Sequence, residues 1–513
     1  MARFRLALIG LLVVSSVALG ATLVALPNGK AQPTSSPTPS ASKVNFGKLT
    51  KFYSQQLNWS DCGDGFQCTQ LEVPLDYAKP NSGSIFLSVI RRMAPSNLSR
   101  GSLIVNPGGP GGSGIDYARA ADNIMTATLR KNFDVVGFDP RGVGQSNPVK
   151  CLTDKQLDVL LAADQTPDNQ SEVKQLVSLS KQFGAGCNRK SPQIIRFMDT
   201  ISAAKDIDIL RQALGDEKLN WFGKSYGTFL GATYAQLFPK RVGRMMLDGA
   251  MDPKLNLEQL SFDQALGFEK ALQRFLADCA VEDDCPLSKN LKVATKQITN
   301  MFAGLNQKPA RLDDGREFTE AMALTGVLGS LYDKQYGWPD LRSALLTALE
   351  GDYTSLAASA DFYVSRDSNG HYTDNGNEAI YAVTCLDRPD RATAARTQSL
   401  ATKWSKSAPV FGAALAWSNL GCTYWPVPAV GKPAAINAKG SAKILVIGTK
   451  YDPATPYAWA KSLAKQLQNS ELLTFVGDGH TAYLQGSDCV DEYVDQYFLI
   501  GRTPSGTVCT DGP

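Results

Sequence analysis

The sequence predicts an α/β protein, with a mostly parallel central sheet and an inserted, mainly helical cap domain. Three observations predict it. An apolar run at 219–222 (LNWF) leads into Gly223-Lys224-Ser225-Tyr226-Gly227, then a helical segment at 228–238 that ends before Pro239. Two earlier runs, SLIV at 102–105 and FDVVGF at 133–138, end in glycine-rich loops. Two late runs, KILVI at 443–447 and ELLTFV at 471–476, follow a long stretch of helical period. Strands separated by helical stretches are the mark of βα units feeding a parallel sheet.

The chain has 513 residues, 43% hydrophobic and 20% charged, an ordinary globular balance. Its net charge of +3 offers no dense basic face, so no nucleic-acid partner is expected. The N-terminus reads as a signal peptide over 1–31. Arg3 and Arg5 precede an apolar or small stretch at 6–26, with small-residue cleavage sites at Gly29-Lys30-Ala31 or Ala18-Leu19-Gly20. A retained membrane anchor is the alternative reading of that run. Residues 32–43 (QPTSSPTPSASK) form a Pro/Ser/Thr-rich linker. The expectation is a secreted or cell-surface protein with no membrane contact once the signal is removed.

The ten cysteines agree with export. They fall into five neighbouring pairs: Cys62 and Cys68, Cys151 and Cys187, Cys279 and Cys285, Cys385 and Cys422, Cys489 and Cys509. Sequence leaves connectivity open, and nearest-neighbour disulfides are the expectation. Metal is not expected, because no C-x-x-C occurs and there are only two histidines. No cofactor is expected either.

The strand, sharp turn and helix around Ser225 carry the chemistry. In G-x-S-x-G the serine sits in a strained turn, and the residues two before and two after it must be small where strand and helix cross. The helix N-terminus then favours developing negative charge near the hydroxyl. Two overlapping patterns are set aside. Gly223-Lys224-Ser225 lacks the opening glycine of a phosphate loop, since position 218 is Lys218. The run at 109–114 fits G-x-G-x-x-G, but it contains Pro110 and no convincing acidic residue closes a following strand.

That glycine run, NPGGPGGSG at 106–114, has a better use at the end of the 102–105 strand. Acyl transfer needs backbone N–H groups aimed at the carbonyl oxygen that turns negative, and glycine permits that approach. Gly109 and Tyr226, the residue after the serine, are assigned as the oxyanion donors. The turn at 139–146 (DPRGVGQS) is read as a support, with an Asp139–Arg141 pair bracing the site. The acid and base should follow the serine in that order. Asp452 lies in the loop after the 443–447 strand, and His480 ends GDGH after the 471–476 strand. His480 would act as general base and acid, and Asp452 would orient its ring. The rivals are His371, in a polar Gly/Asn-rich surface stretch, and Asp252 in LDGAMDP; Asp248 is read as a cap or brace.

On these residues the sequence resembles the secreted tripeptidyl aminopeptidases of actinobacteria, relatives of the proline iminopeptidases among the α/β-hydrolases. The resemblance also rests on Trp59 with Cys62 and Cys68, VPLDY at 73–77, AVTCLD at 382–387 with CTYWP at 422–426, and GTKYDPATP at 448–456. It implies an α/β-hydrolase fold and a serine exopeptidase that releases short peptides, tripeptides, from free N-termini of peptide substrates through an acyl-enzyme. Residues 44–253 and 440–513 would form the core, and 254–439 the cap. A substrate ammonium needs a carboxylate. Asp387 and Glu269, with Asp283 and Asp284, are candidates by position. The alternative function is a secreted esterase or lipase with the same triad.

Overall fold

The computed structural model describes residues 47–95 and 97–510, so the expected signal peptide and linker lie outside the described residues. In chain order the strands are β1 (Ser60–Asp61), β2 (Phe66–Pro74), β3 (Ser84–Arg92), β4 (Ser102–Asn106), β5 (Asp134–Phe138), β6 (Leu219–Lys224) and β7 (Val242–Asp248). A small hairpin of β8 (Ala310–Arg311) and β9 (Glu317–Phe318) precedes β10 (Ile444–Tyr451), β11 (Ser470–Asp478) and β12 (Val508–Thr510). All except β8 and β9 join one sheet in the order β1-β2-β3-β5-β4-β6-β7-β10-β11-β12. From β5 through β12 every pairing is parallel; β1, β2 and β3 form an antiparallel edge joined to β5. This is the α/β-hydrolase arrangement expected from the sequence, and the antiparallel edge is the part that periodicity did not specify.

Alternation along the strands assigns the two faces. Ile104, Val136, Trp221, Leu247 and Val446 join one buried cluster. Their chain neighbours Leu103, Val135, Phe222, Met246 and Leu445 join another. A period of two places consecutive side chains on opposite sides. Both sets are buried because helices cover both faces, which explains the continuous apolar runs in the sequence. Strand β4 lies between β5 and β6, so the chain crosses over it and reverses direction across the sheet. A crevice opens at the carboxyl ends of strands at such a reversal.

Between β7 and β10 the chain is mostly helical and packs around a further cluster that includes Phe268, Leu272, Phe275, Ile298 and Trp338. The first helix of this stretch, Leu257–Cys279, begins at a capping box in which Asn256 and Gln259 satisfy each other's amides. Its buried Leu260, Phe268, Leu272, Phe275 and Leu276 recur at helical spacing. Phe275 meets the Trp338 ring edge-on at 6.0 Å, and truncating it to alanine would cost about 3–5 kcal/mol. The helix lies over the loop after β10, where Gln264 Nε2 donates to the Ala454 carbonyl at 2.9 Å.

All five neighbouring cysteine pairs are disulfides: Cys62–Cys68, Cys151–Cys187, Cys279–Cys285, Cys385–Cys422 and Cys489–Cys509. Among the described residues no helix is long and apolar enough to cross a membrane.

Candidate active site

Ser225 stands at the junction of β6 and the helix Tyr226–Leu237, with φ 55° and ψ −126°. A non-glycine residue held there is strained, and only the surrounding packing can keep it so. The packing is visible. A Cβ on Gly227 would lie 2.8 Å from the Asn106 carbonyl oxygen, and one on Gly223 would strike the Gly227 carbonyl. The carbonyl of Gly227 also accepts from Trp221 Nε1 at 3.0 Å, which ties strand to helix. Both glycines of the motif are thus required by close approach.

The glycine-rich loop after β4 lies against this turn. A Cβ on Gly108 would sit 2.7 Å from the Lys224 carbonyl oxygen and 2.8 Å from both Ser225 Cβ and the Tyr226 amide nitrogen. Gly108 also has φ +103°, and its N–H donates to Asn106 Oδ1 at 3.1 Å. Gly109 follows it, with Tyr226 across the turn. The amides of Gly109 and Tyr226 donate to no other group among the described residues. Sequence reasoning passed over Gly108 and Asn106, although the asparagine that opens the glycine run was a readable sign of a fixed loop.

Asp452 and His480 meet at the ends of β10 and β11. His480 Nδ1 lies 2.9 Å from each oxygen of the fully buried Asp452 carboxylate. That carboxylate accepts further hydrogen bonds from the amides of Ala454 (2.9 Å), Thr455 (2.8 Å) and Thr481 (3.1 Å), and from the Thr455 hydroxyl (2.9 Å). Such a set fixes the orientation of the carboxylate. The other ring nitrogen, His480 Nε2, is buried with no hydrogen-bond partner among the described residues. The helical stretch reaches the histidine as well. His480 N–H donates to the Tyr332 carbonyl at 2.7 Å, and the two rings stand edge to face at 5.2 Å. Sequence reasoning did not find Tyr332, because a carbonyl contact leaves no side-chain signature.

The rivals lie elsewhere. His371 is exposed and faces Asp154 at 2.9 Å. Asp252 accepts from Gln466 Nε2 at 2.8 Å. Asp248 is a brace: it takes the amides of Ala482 (3.0 Å) and Tyr483 (3.0 Å), just beyond His480, with Lys224 Nζ at 3.9 Å. Burial pushes the Asp248 carboxyl up and the Lys224 ammonium down.

The turn after β5 requires a correction. Asp139 and Arg141 do not pair. Asp139 instead accepts from Ser113 Oγ (2.6 Å) and from the amides of Ile115 and Gln145, holding the far end of the glycine loop. Arg141 forks onto Asp206 with two contacts of 2.7 Å. Two residues on one tight turn point to opposite sides, and a guanidinium that is only 1% exposed needs a carboxylate, here one far along the chain.

Of the candidate ammonium anchors, Asp283 and Asp284 are exposed, and Asp284 pairs with Arg342 at 2.7 Å. Glu269 is buried, accepts from the Val410 amide at 3.0 Å, and has no ion pair among the described residues. Burial pushes its carboxyl up. Asp387 is buried too, with Thr200 occupying both oxygens. Burial pushes it up to about 7. A cavity of about 340 Å³ lined by Asp158, Arg316, Asp361 and Arg366 shares no residue with these groups, and its guanidiniums are already paired.

A family model described as TAP-like protein matches residues 408–509, the part holding Asp452 and His480. Serine protease Hip1 of Mycobacterium tuberculosis is 36% identical over 477 residues, 89% of this chain and 91% of that protein. Carboxylesterase B of the same species is 36% identical over 470 residues, 88% and 89% of the two chains. Tripeptidyl aminopeptidase of Streptomyces lividans is 30% identical over 465 residues, 88% of this chain and 86% of that one. With relatives aligned along nearly their whole length, the chain belongs to the tripeptidyl aminopeptidase family of α/β-hydrolases and is a serine hydrolase.

Proposed function

We propose that this protein is an exported serine exopeptidase that releases short peptides, tripeptides, from free N-termini. Ser225 is the nucleophile, His480 the general base and acid, and Asp452 the group that orients the ring. The observation that carries this reading is the histidine: Nδ1 is held by Asp452 at 2.9 Å, while Nε2 is buried without a partner among the described residues. A base held in one tautomer, with its other nitrogen free, is what proton abstraction from a serine requires.

In the first half-reaction Ser225 Oγ attacks the scissile carbonyl carbon and its proton passes to His480 Nε2. The negative oxygen is held by the amides of Gly109 and Tyr226. The intermediate collapses, the C–N bond breaks, and His480 returns the proton to the leaving amine. Water then attacks the acyl-serine ester as His480 Nε2 takes its proton; the C–Oγ bond breaks, His480 returns the proton to Ser225 Oγ, and the short peptide leaves with a new carboxylate. The helical stretch 254–439 acts as a cap that limits entry to chain ends and keeps water out. Glu269 is the better ammonium anchor of the two buried carboxylates, because Thr200 already occupies both oxygens of Asp387.

The 36% identity to a carboxylesterase supports a second reading, an esterase with the same triad. A matched pair of tripeptide arylamides, one free and one N-acetylated, separates the two. Acetylation removes the ammonium and leaves the carboxylate unpaired, which should lower kcat/KM about thirty-fold or more. Equal rates on both substrates, with faster turnover of short esters, would leave the esterase reading.

A further inference from the structure

One helix of the segment between β7 and β10, Gly376–Asp387, touches both sides of the serine turn. At its N-terminal end it packs on the glycine loop: a Cβ on Gly111 would meet Ala379 Cβ at 2.9 Å and Gly376 Cα at 3.3 Å. The preceding Asn375 is stitched to the turn after β5, donating to the carbonyls of Gly142 (2.9 Å) and Val149 (3.0 Å) and accepting from the Gly144 amide (2.9 Å). At its C-terminal end Asp387 takes the Thr200 amide at 2.9 Å and the Thr200 hydroxyl at 2.5 Å. The Thr200 hydroxyl also lies 2.6 Å from the Tyr226 hydroxyl. The helix is anchored there by the Cys385–Cys422 disulfide.

When Asp387 is ionised, the proton count fixes the direction of this chain. A hydroxyl has one hydrogen, and Thr200 gives its own to Asp387. The Tyr226 hydroxyl must therefore donate to Thr200 Oγ1. All three groups are buried, so each lost bond would strand a polar atom away from water. Tyr226 is the residue whose amide faces the reacting carbonyl, and its ring is held at the far end by this relay and flanked edge-on by Phe229 at 6.2 Å.

We infer that Asp387 and Thr200 are positioning residues for the oxyanion hole: through the Tyr226 hydroxyl they fix the donor amide, while the other end of the same helix fixes the Gly109 loop. This rests on reading Tyr226 as an oxyanion donor beside the Ser225 nucleophile. It gives Asp387 a role in holding the enzyme's own backbone and none in holding the substrate ammonium.

The test compares Thr200→Val, Thr200→Ser and Asp387→Asn with the parent enzyme. Two readouts are used: kcat and KM on a free tripeptide arylamide and on a p-nitrophenyl ester without an ammonium, and the rate at which a phosphonate reagent modifies Ser225. The phosphonyl oxygen occupies the same hole as the substrate oxyanion. Thr200→Val and Asp387→Asn should lower kcat on both substrates and the phosphonylation rate by a similar factor, about tenfold or more, with KM little changed. Thr200→Ser keeps the hydroxyl and should restore nearly full rates. If Thr200→Val does not fold, Tyr226→Phe removes the same link from the other side and carries the same prediction. Unchanged rates in Thr200→Val and Asp387→Asn would overturn the inference. So would a loss confined to the free-amine substrate and expressed in KM, which would make Asp387 the ammonium anchor. A parent enzyme not modified at Ser225 would overturn the reading of the site itself, and this inference with it.

Discussion

The carboxylate of Asp452 faces Nδ1 of His480 with both oxygens at 2.9 Å, and four further donors hold that carboxylate in place. Asparagine at 452 would retain the shape but allow the wrong ring tautomer. Asp452→Asn should lower kcat by about three to four powers of ten. Asp252→Asn and His371→Ala should stay within a few-fold of the parent, since those side chains face Gln466 and Asp154. Steady-state rates on a tripeptide arylamide decide the matter. Loss of activity in Asp252→Asn with Asp452→Asn unaffected would move the acid back by one strand.

Gly108 should tolerate no side chain. Its φ is +103°, and a Cβ would lie under 3 Å from three atoms of the serine turn. Gly108→Ala must displace either the glycine loop or the Tyr226 amide, and a misplacement of about 1 Å in such a site costs about a hundredfold in kcat. Circular dichroism should show the fold retained while kcat falls. Parent-level kcat would mean that this loop has no part in the chemistry.

Much of this site was legible because its signals are local. G-x-S-x-G requires small residues where one strand meets one helix, and Gly223 and Gly227 are small for that reason. Asp452 and His480 could be placed because each ends an apolar strand and the chain has only two histidines. The neighbouring cysteines close short or moderate loops, so their pairing was accessible too. The rest depended on contacts far apart in sequence. Arg141 found Asp206, which no pattern within its own turn could specify. The Tyr332 carbonyl meets the His480 amide, and Ala379 meets Gly111, through backbone and small side chains that carry no chemical label. Asp387 was noticed as a carboxylate, but its relation to Tyr226 runs through Thr200, which looks like an ordinary helix-start residue in the sequence.

Glu320 gives a pH-dependent stability. Burial pushes its carboxyl up to about 7, opposed by a hydrogen bond from Thr166 at 2.9 Å and reinforced by Asp164 nearby. In the unfolded chain a glutamate loses its proton near about 4.3. Between those values the folded chain binds more protons than the unfolded one, so this group's contribution to stability falls as pH rises from about 4 to 7. Glu320→Gln removes that dependence. The variant should melt above the parent at pH 8, with the difference gone by about pH 4, as followed by calorimetry. A variant less stable than the parent at pH 8 would show that the carboxylate is paired after all.

The most direct measurement of the central claim is chemical modification of the nucleophile. The intact protein is treated with a serine-directed phosphonate near neutral pH, and the adduct is located by peptide mapping in the parent, in Ser225→Ala and in His480→Ala. The account predicts a single adduct on Ser225, with parallel loss of turnover. It also predicts no adduct and no turnover in Ser225→Ala, and modification slowed by orders of magnitude in His480→Ala, where no base takes the hydroxyl proton. An adduct on another residue, or a Ser225→Ala protein that keeps more than a few per cent of parent activity, would contradict it.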